Sequence, residues 1–372
     1  MTVKPVQYHL GKFPPKDMDW SKLIPLIGPA NASLASYGSL LRAIPNPHIL
    51  LSPLITQEAV LSSKIEGTHV TIGEVLEIEA IGKSSNLTQN KRDDAEEVMN
   101  YRGAMLACVA EMEQRPFSQH MLRAAHALLM KGVRGRDKSP GSYRKEQNWI
   151  GPKGCTVENS SFVPVAPESL PGGMDMWEEY FNSTNEPDIL VQLALLHAEF
   201  EALHPFKDGN GRLGRMIIPL FLYHRKLLLG PDFYMSGYLE ANRDEYQERL
   251  RSISRDGAWT AWCVFFLNGI QRQAVENERK AKAILNRYDN LKERIINLTH
   301  SQHAVAALDY IFKFPIFSGT QFTNSADIPK PTAGRILKIL RDENILVVIR
   351  KPSGRIPAVY AFIELLSITE ST

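Results

Sequence analysis

The twelve residues His204–Arg215, HPFKDGNGRLGR, bring one histidine, one aspartate, one asparagine, three glycines and two arginines into a single run. That mixture suits chemistry on a polyphosphate. Gly209 and Gly211 let the backbone turn tightly and carry its N–H groups close to an anion. A helix is expected to begin here, in GRLGRMIIPLFLYHRKLL, so its unpaired first-turn N–H groups point at the loop. Arg212 and Arg215, three apart, share a face and can fork onto phosphate oxygens. Asp208 offers a hard oxygen suited to Mg²⁺ held between protein and phosphates. Asn210 can donate to phosphate from its side chain. Histidine titrates near neutral pH, which makes His204 the candidate general base. Phe206 reads as an apolar anchor for the loop. The bland alternative is a charged loop with a capped helix, in which the arginines pair with nearby acids.

The run also contains Gly209-Asn210-Gly211-Arg212-Leu213-Gly214, which fits G-x-G-x-x-G. A dinucleotide loop must follow a buried strand in a βαβ unit. Here the preceding VQLALLHAEFEALHPF has Leu, Ala and Glu at helical spacing, and no βαβ alternation follows. The match is therefore read as accidental.

Helical periodicity dominates the elements that must hold this loop. PLITQEAVLSSKIEG (53–67) opens on proline and closes on glycine, as a helix does. DDAEEVMNYRGAMLACVAEM, SQHMLRAAHALLMKG and DILVQLALLHAEFEALHPF carry the same pattern. His197, His126 and His120 read as packing residues, and WTAWCVFFL (259–267) as core. Residues 139–173 break the helical pattern with Gly, Pro, aromatics and short alternating runs, so a hairpin or flap is expected there. Past residue 300, HAVAALDYIFKFP and PTAGRILKILRDE read as helices, and ILVVIR and AVYAF as strands joined by a turn. Two helices and a two-stranded wing make the pattern of a winged helix-turn-helix. Lys330, Arg335, Lys338 and Arg341 on the second helix, with Arg350, Lys351 and Arg355 in the wing, give that module a basic face. DNA and a protein partner both remain open for it.

At every defined position the His204–Arg215 run matches HPFx(D/E)GNGRxxR, and on it the chain resembles the Fic family. EEVMNYRGAM, PGSYRKEQNWIG with SFVPVAPESLPGGM, and YLEANRDEYQERL resemble that family's core helix, flap and following helix. The resemblance implies a mainly α fold: a Fic-type helical core with a small β-hairpin flap, plus the C-terminal winged-helix domain. It implies AMP transfer from ATP to a Tyr, Thr or Ser hydroxyl of a target protein or of the chain itself. His204 would act as base, and Asp208 would hold Mg²⁺. Phe206, Lys207, Asp208, Gly209, Asn210, Gly211, Arg212 and Arg215 would line the ATP site, with Tyr238 and Asn242 near the nucleoside. Phe162, Val163 and Pro164 would align an extended target segment. Ser62-x-x-x-Glu66-Gly67 fits the family's inhibitory (S/T)xxxE(G/N) pattern, so Glu66 would reach into the ATP site and occupy Arg215. Its plain alternative is a solvated glutamate at a helix C-terminus, where the dipole disfavours it. The expected organisation is an N-terminal helical region (1–90) with the inhibitory helix at about 53–67, a core (91–275), a helical connector (276–300) and the winged helix (301–372).

The chain's 372 residues, 44% of them hydrophobic, are enough for two or three globular units. From a net charge of +2 no global polyanion affinity follows, so any nucleic-acid face would have to be local. Three scattered cysteines at 108, 155 and 263 show neither metal spacing nor a disulfide framework, which favours a reducing, cytoplasmic setting. The first residues resemble no signal peptide, and no apolar run is long enough for a membrane span. A homodimer is compatible with these features. Two other function classes compete with AMP transfer. One is a Fic-type enzyme that moves a different phosphate-containing group or removes AMP; the other is a DNA-binding regulator whose core senses nucleotide.

Overall fold

The structure is a computed structural model that describes residues 4–82, 85–132, 136–152, 154–353 and 357–371. It is mainly helical, with 66% helix and two small sheets. The chain forms two compact units that interleave in sequence: residues 1–38 with 100–275, and 39–99 with 276–372. The crossings fall within three long helices, Trp20–Ala43, Gln89–Met112 and Trp259–Thr299.

At the centre of the first unit runs Ile189–Leu203, here called the histidine helix. Asp188 caps its start, its Oδ1 accepting from Leu190 N–H (2.9 Å) and Val191 N–H (3.0 Å). Residues 190–200 of this helix are buried throughout, so it is wrapped on all sides. Two indoles satisfy their N–H groups on its carbonyls, Trp177 on Leu196 (2.9 Å) and Trp262 on Ala194 (2.8 Å). Helices Asn210–His224 and Leu170–Asn182 pack against it. Phe117, Trp177, Phe181, Phe200 and Phe221 knit these elements into an aromatic core. The 259–267 run is core as well: Trp262, Cys263, Phe266 and Leu267 are fully buried, and burial pushes the Cys263 thiol up.

The flap region differs from a free-standing hairpin. Ile150 and Phe162 form one antiparallel bridge, and Phe162–Val163 then pairs in parallel with a strand from the chain start, Val6–Gln7. A two-residue strand beside Pro5 leaves no periodic signal in the sequence.

In the second unit, Ser52–Ile65 packs against Ala304–Lys313 and Ile363–Glu370. Helix Ile72–Ile81, opened by a Thr71–Glu74 capping box, packs against strand Ile316–Ser318. The C-terminal segment runs helix Ala304–Lys313, strand Ile316–Ser318, helices Gly319–Ser325 and Lys330–Asp342, then strands Val347–Arg350 and Val359–Ala361. Its three strands are antiparallel, with 359–361 in the middle. The helix 304–313, the helix 330–342 and the strands 347–350 and 359–361 were expected from sequence. Ile316–Ser318 and Gly319–Ser325 were not, because each is too short for a periodicity to show.

Candidate active site

The histidine helix ends abruptly. His204 is its C-cap and adopts left-handed geometry (φ 49°, ψ 58°), its N–H bonded to Phe200 O at 3.0 Å. That conformation turns the chain out of the helix into Pro205-Phe206. His204 Nδ1 lies 3.2 Å from Glu201 O. A carbonyl only accepts, so Nδ1 carries the proton and the Nε2 lone pair is the basic one.

The loop after it is seated on helix Gln119–Leu129. Phe206 is fully buried and stacks on His126, with centroids 3.8 Å apart and planes at 13°. His126 Nδ1 accepts from Gly141 N–H at 2.8 Å, which fixes its proton on Nε2, and Nε2 donates to Asp208 O at 3.0 Å. Burial holds this imidazole down at about 4, so the ring stays neutral. Gly209 has φ +79°, and a Cβ there would come within 2.8 Å of Met130 Sδ; both facts demand glycine. Asn210 closes the turn on itself. Its Oδ1 accepts from Phe206 N–H and its Nδ2 donates to Phe206 O, each at 2.8 Å. Its side chain is thus engaged inside the loop, which leaves the backbone for contact with an anion.

Helix Asn210–His224 begins directly behind this turn. Its first intrahelical bond is Leu213 N–H to Gly209 O (3.0 Å), so the amides of Asn210, Gly211 and Arg212 form its first turn, the part of a helix that can meet an anion. Asp208 Oδ1 accepts from Gly209 N–H (2.6 Å) and stands 3.7 Å from Arg212 Nη2, with its side chain 47% exposed. Arg212 and Arg215 are both buried. Lys207 stands 3.7 Å from Glu146 in an exposed pair of little energetic consequence. A second buried imidazole braces this helix. His197 Nδ1 donates to Gly214 O (3.0 Å), and Nε2 accepts from the Tyr246 hydroxyl (2.8 Å). Burial pushes that ring down to about 3.

Asp208 is a single, half-exposed carboxylate. Among the described residues, no three His, Cys, Asp or Glu side chains gather around a common point. This donor set fits a magnesium ion that takes one oxygen from Asp208 and the rest from phosphate and water.

Residues 24–110 match the Fic/DOC family N-terminal profile, and residues 116–222 match the Fic/DOC family profile. A Fido domain-containing protein of Dictyostelium discoideum is 31% identical over 127 residues, or 33% of this chain and 78% of that protein. The chain belongs to the Fic/DOC family. A protein of Aquifex aeolicus named as a probable protein adenylyltransferase is 26% identical over 148 residues. The match covers 40% of each, so this chain spans two-fifths of that relative. A solved Fic family protein from Desulfovibrio desulfuricans G20 shares the fold. Its TM-score is 0.61 over 94% of this chain and 98% of that one, at 20% identity. These likenesses show the family and its fold.

The other expected Fic-site residues lie on separate elements. Tyr238 and Asn242 sit at helix Ser236–Ala241, where Asn242 Nδ2 donates to Tyr238 O (2.8 Å) and Tyr238 N–H donates to Gln273 Oε1 (3.0 Å). Phe162 and Val163 are buried and bonded on both edges. Phe162 exchanges bonds with Ile150 (3.1 and 2.9 Å), while Ser161 O and Val163 O accept from Val6 N–H (3.3 Å) and Tyr8 N–H (3.0 Å). Pro164 O accepts from Gln147 Nε2 (3.1 Å). In the second unit, Ser62 is buried on helix Ser52–Ile65, and Glu66 is that helix's C-cap.

Sequence reading missed Arg144 and Asn148, which bond the loop's carbonyls, and Tyr8 and His9. The Tyr8 hydroxyl donates to Glu199 Oε1 (2.6 Å), and His9 Nε2 lies 2.8 Å from Glu199 Oε2, which ties the chain start to the histidine helix. No periodicity reports where a long side chain in a loop will point.

Proposed function

We propose that this Fic-type enzyme is a protein adenylyltransferase that moves AMP from ATP to a side-chain hydroxyl of a target protein or of itself. The observation that carries this reading is His204: an imidazole with Nδ1 tied to Glu201 O, beside a glycine turn backed by a helix N-terminus. In the proposed step the target oxygen attacks the α-phosphorus, the α–β bridging P–O bond breaks and pyrophosphate leaves. The hydroxyl proton passes to His204 Nε2. The first-turn amides, Arg212 and Arg215 stabilise the charge on the phosphates. Asp208 would hold magnesium, which supplies further neutralisation of the phosphate oxygens. Glu66 is proposed to restrain the reaction by competing for the guanidinium of Arg215. Incubation of the full chain with ATP labelled at the α-phosphate, followed by mass spectrometry, tests the reading. An AMP adduct is expected; a bare phosphate adduct, or no adduct from either wild type or Glu66→Gly, rejects it.

The C-terminal segment supports a second role. Its three-helix and three-strand order fits a winged helix-turn-helix. Lys330, Arg335 and Lys338 are exposed on helix Lys330–Asp342, while Arg341 pairs with Asp342 and Arg355 lies outside the described residues. We read this face as a DNA contact. A mobility shift of duplex DNA by the full chain that weakens with salt is expected. No shift at low salt assigns the face to a protein partner.

A further inference from the structure

Arg144 is 3% exposed and ends in a nest of carbonyl groups. Its Nε donates to His204 O (2.9 Å), and its Nη2 to Leu203 O (3.2 Å) and Val165 O (2.5 Å). Its Nη1 donates to Glu146 O (3.2 Å), and its own backbone N–H donates to Pro205 O (2.9 Å). Leu203, His204 and Pro205 are the residues where the histidine helix ends and the catalytic loop begins. A helix end leaves such carbonyls without intrahelical partners. Val165 and Glu146 belong to the two sides of the flap. One guanidinium therefore spans the segment that carries the candidate base and the segment expected to face the target. All three of its nitrogens are bonded to carbonyl oxygens, so it acts as a fork and not as an ion pair. Burial draws its pKa down to about 10, still far above neutrality, so the fork stays charged. Asn148 reinforces the same junction, its Nδ2 reaching His204 O (3.4 Å) and Phe206 O (3.1 Å).

We propose that Arg144 is a positioning residue that sets the distance between the flap and His204, and so aligns the target hydroxyl with the base. The proposal rests on the AMP-transfer reading for its chemical consequence but not for its geometry. It makes no contact with nucleotide necessary, since every bond that Arg144 makes is to the chain itself. Lysine keeps the charge but has one nitrogen where arginine has three, so it cannot hold helix end and flap together.

The test uses the full chain with Arg144→Lys and, because the alanine variant can fail to fold, treats Arg144→Lys as the deciding variant. Three quantities are measured: affinity for a non-hydrolysable ATP analogue, the rate of label transfer from α-labelled ATP, and hydrogen exchange in the peptides 157–165 and 203–206. The lysine variant is expected to bind the analogue within about twofold of wild type, to exchange faster in both peptides, and to transfer AMP about a hundredfold more slowly, the scale of an ångström-sized misplacement. Transfer at the wild-type rate overturns the proposal. So does a loss of analogue binding in parallel with transfer, which would make Arg144 a general structural brace. If wild type transfers nothing while the two peptides still loosen together on substitution, the AMP-transfer reading fails and the coupling of flap to helix end stands.

Discussion

Two helix ends in this protein carry the residues of interest, and they are built differently. Ser52–Ile65 ends on Glu66 and then Gly67, whose φ is +95°. Thr68 N–H bonds to Ser63 O (3.2 Å) and Gly67 N–H to Lys64 O (3.0 Å), the paired bonds of a Schellman end. Both of these bonds lie within six residues. The histidine helix also ends in a left-handed residue, but that residue is His204. A non-glycine residue there costs about 1–2 kcal/mol. Distant groups hold it: Arg144 and Asn148 on its carbonyls, and His126 stacked on Phe206 beneath the loop. The local end is a stop signal. The strained, tertiary end aims a side chain.

The largest expected effect falls on the strained end. His204→Ala should lower AMP transfer by about 10²–10⁴-fold, the value of a general base, while the ATP analogue still binds. Wild-type labelling by this variant would remove His204 from the role.

Acid should also weaken the buried packing around the tertiary end. The folded-state values of about 4 for His126 and about 3 for His197 lie below the ordinary 6.5 because burial disfavours the charged rings. The unfolded chain therefore binds more protons below pH 6.5. The stability these neutral rings contribute is complete above that pH and is lost as pH falls towards 4 and then 3. Inside that window each ring should cost about 1.4 kcal/mol per pH unit. Thermal melts between pH 7.5 and 4.5 should show the decline, and a flat profile would contradict the neutral, buried assignment.

At the local end, Glu66→Gly should raise self-labelling by about ten- to a hundredfold, the worth of one charge-assisted bond. Unchanged labelling would retire the proposed restraint.

The smallest effect compares the two left-handed residues directly. Gly67→Ala should destabilise by about 1 kcal/mol through φ alone, because an added Cβ there meets nothing within 4 Å. At the other end the sign is the same: His204→Gly should be more stable than His204→Ala by about 1 kcal/mol, although both lack the base. Denaturant melts of the three variants and of wild type decide it. Equal stability of the His204 pair would show that the helix end is not strained.

Much of the site was legible because its parts are contiguous. The glycines, the arginines, Asp208 and His204 all lie within twelve residues, and a helix start behind a glycine turn is a local matter. The flap was legible only as a break in helical pattern. The strand that pairs with Phe162–Val163 comes from residues 6–7, 156 positions away. A strand that short has no period of its own, so pairing alone defines it. His126 and His197 carried no sequence signal beyond lying on helix faces, and their braces appear only once Asp208 O and Gly214 O are placed.

By itself, then, the sequence determined the helical framework, the glycine turn, the Gly67 stop and the set of groups available to a triphosphate, since each depends on neighbours within a turn or two. The tertiary structure alone decided which nitrogen of His204 keeps a lone pair, why Asn210 faces inward, and that Arg144 joins flap to helix end. Those outcomes depend on hydrogen-bond partners far away in the chain, and a hydrogen bond has no direction until both of its atoms have a place.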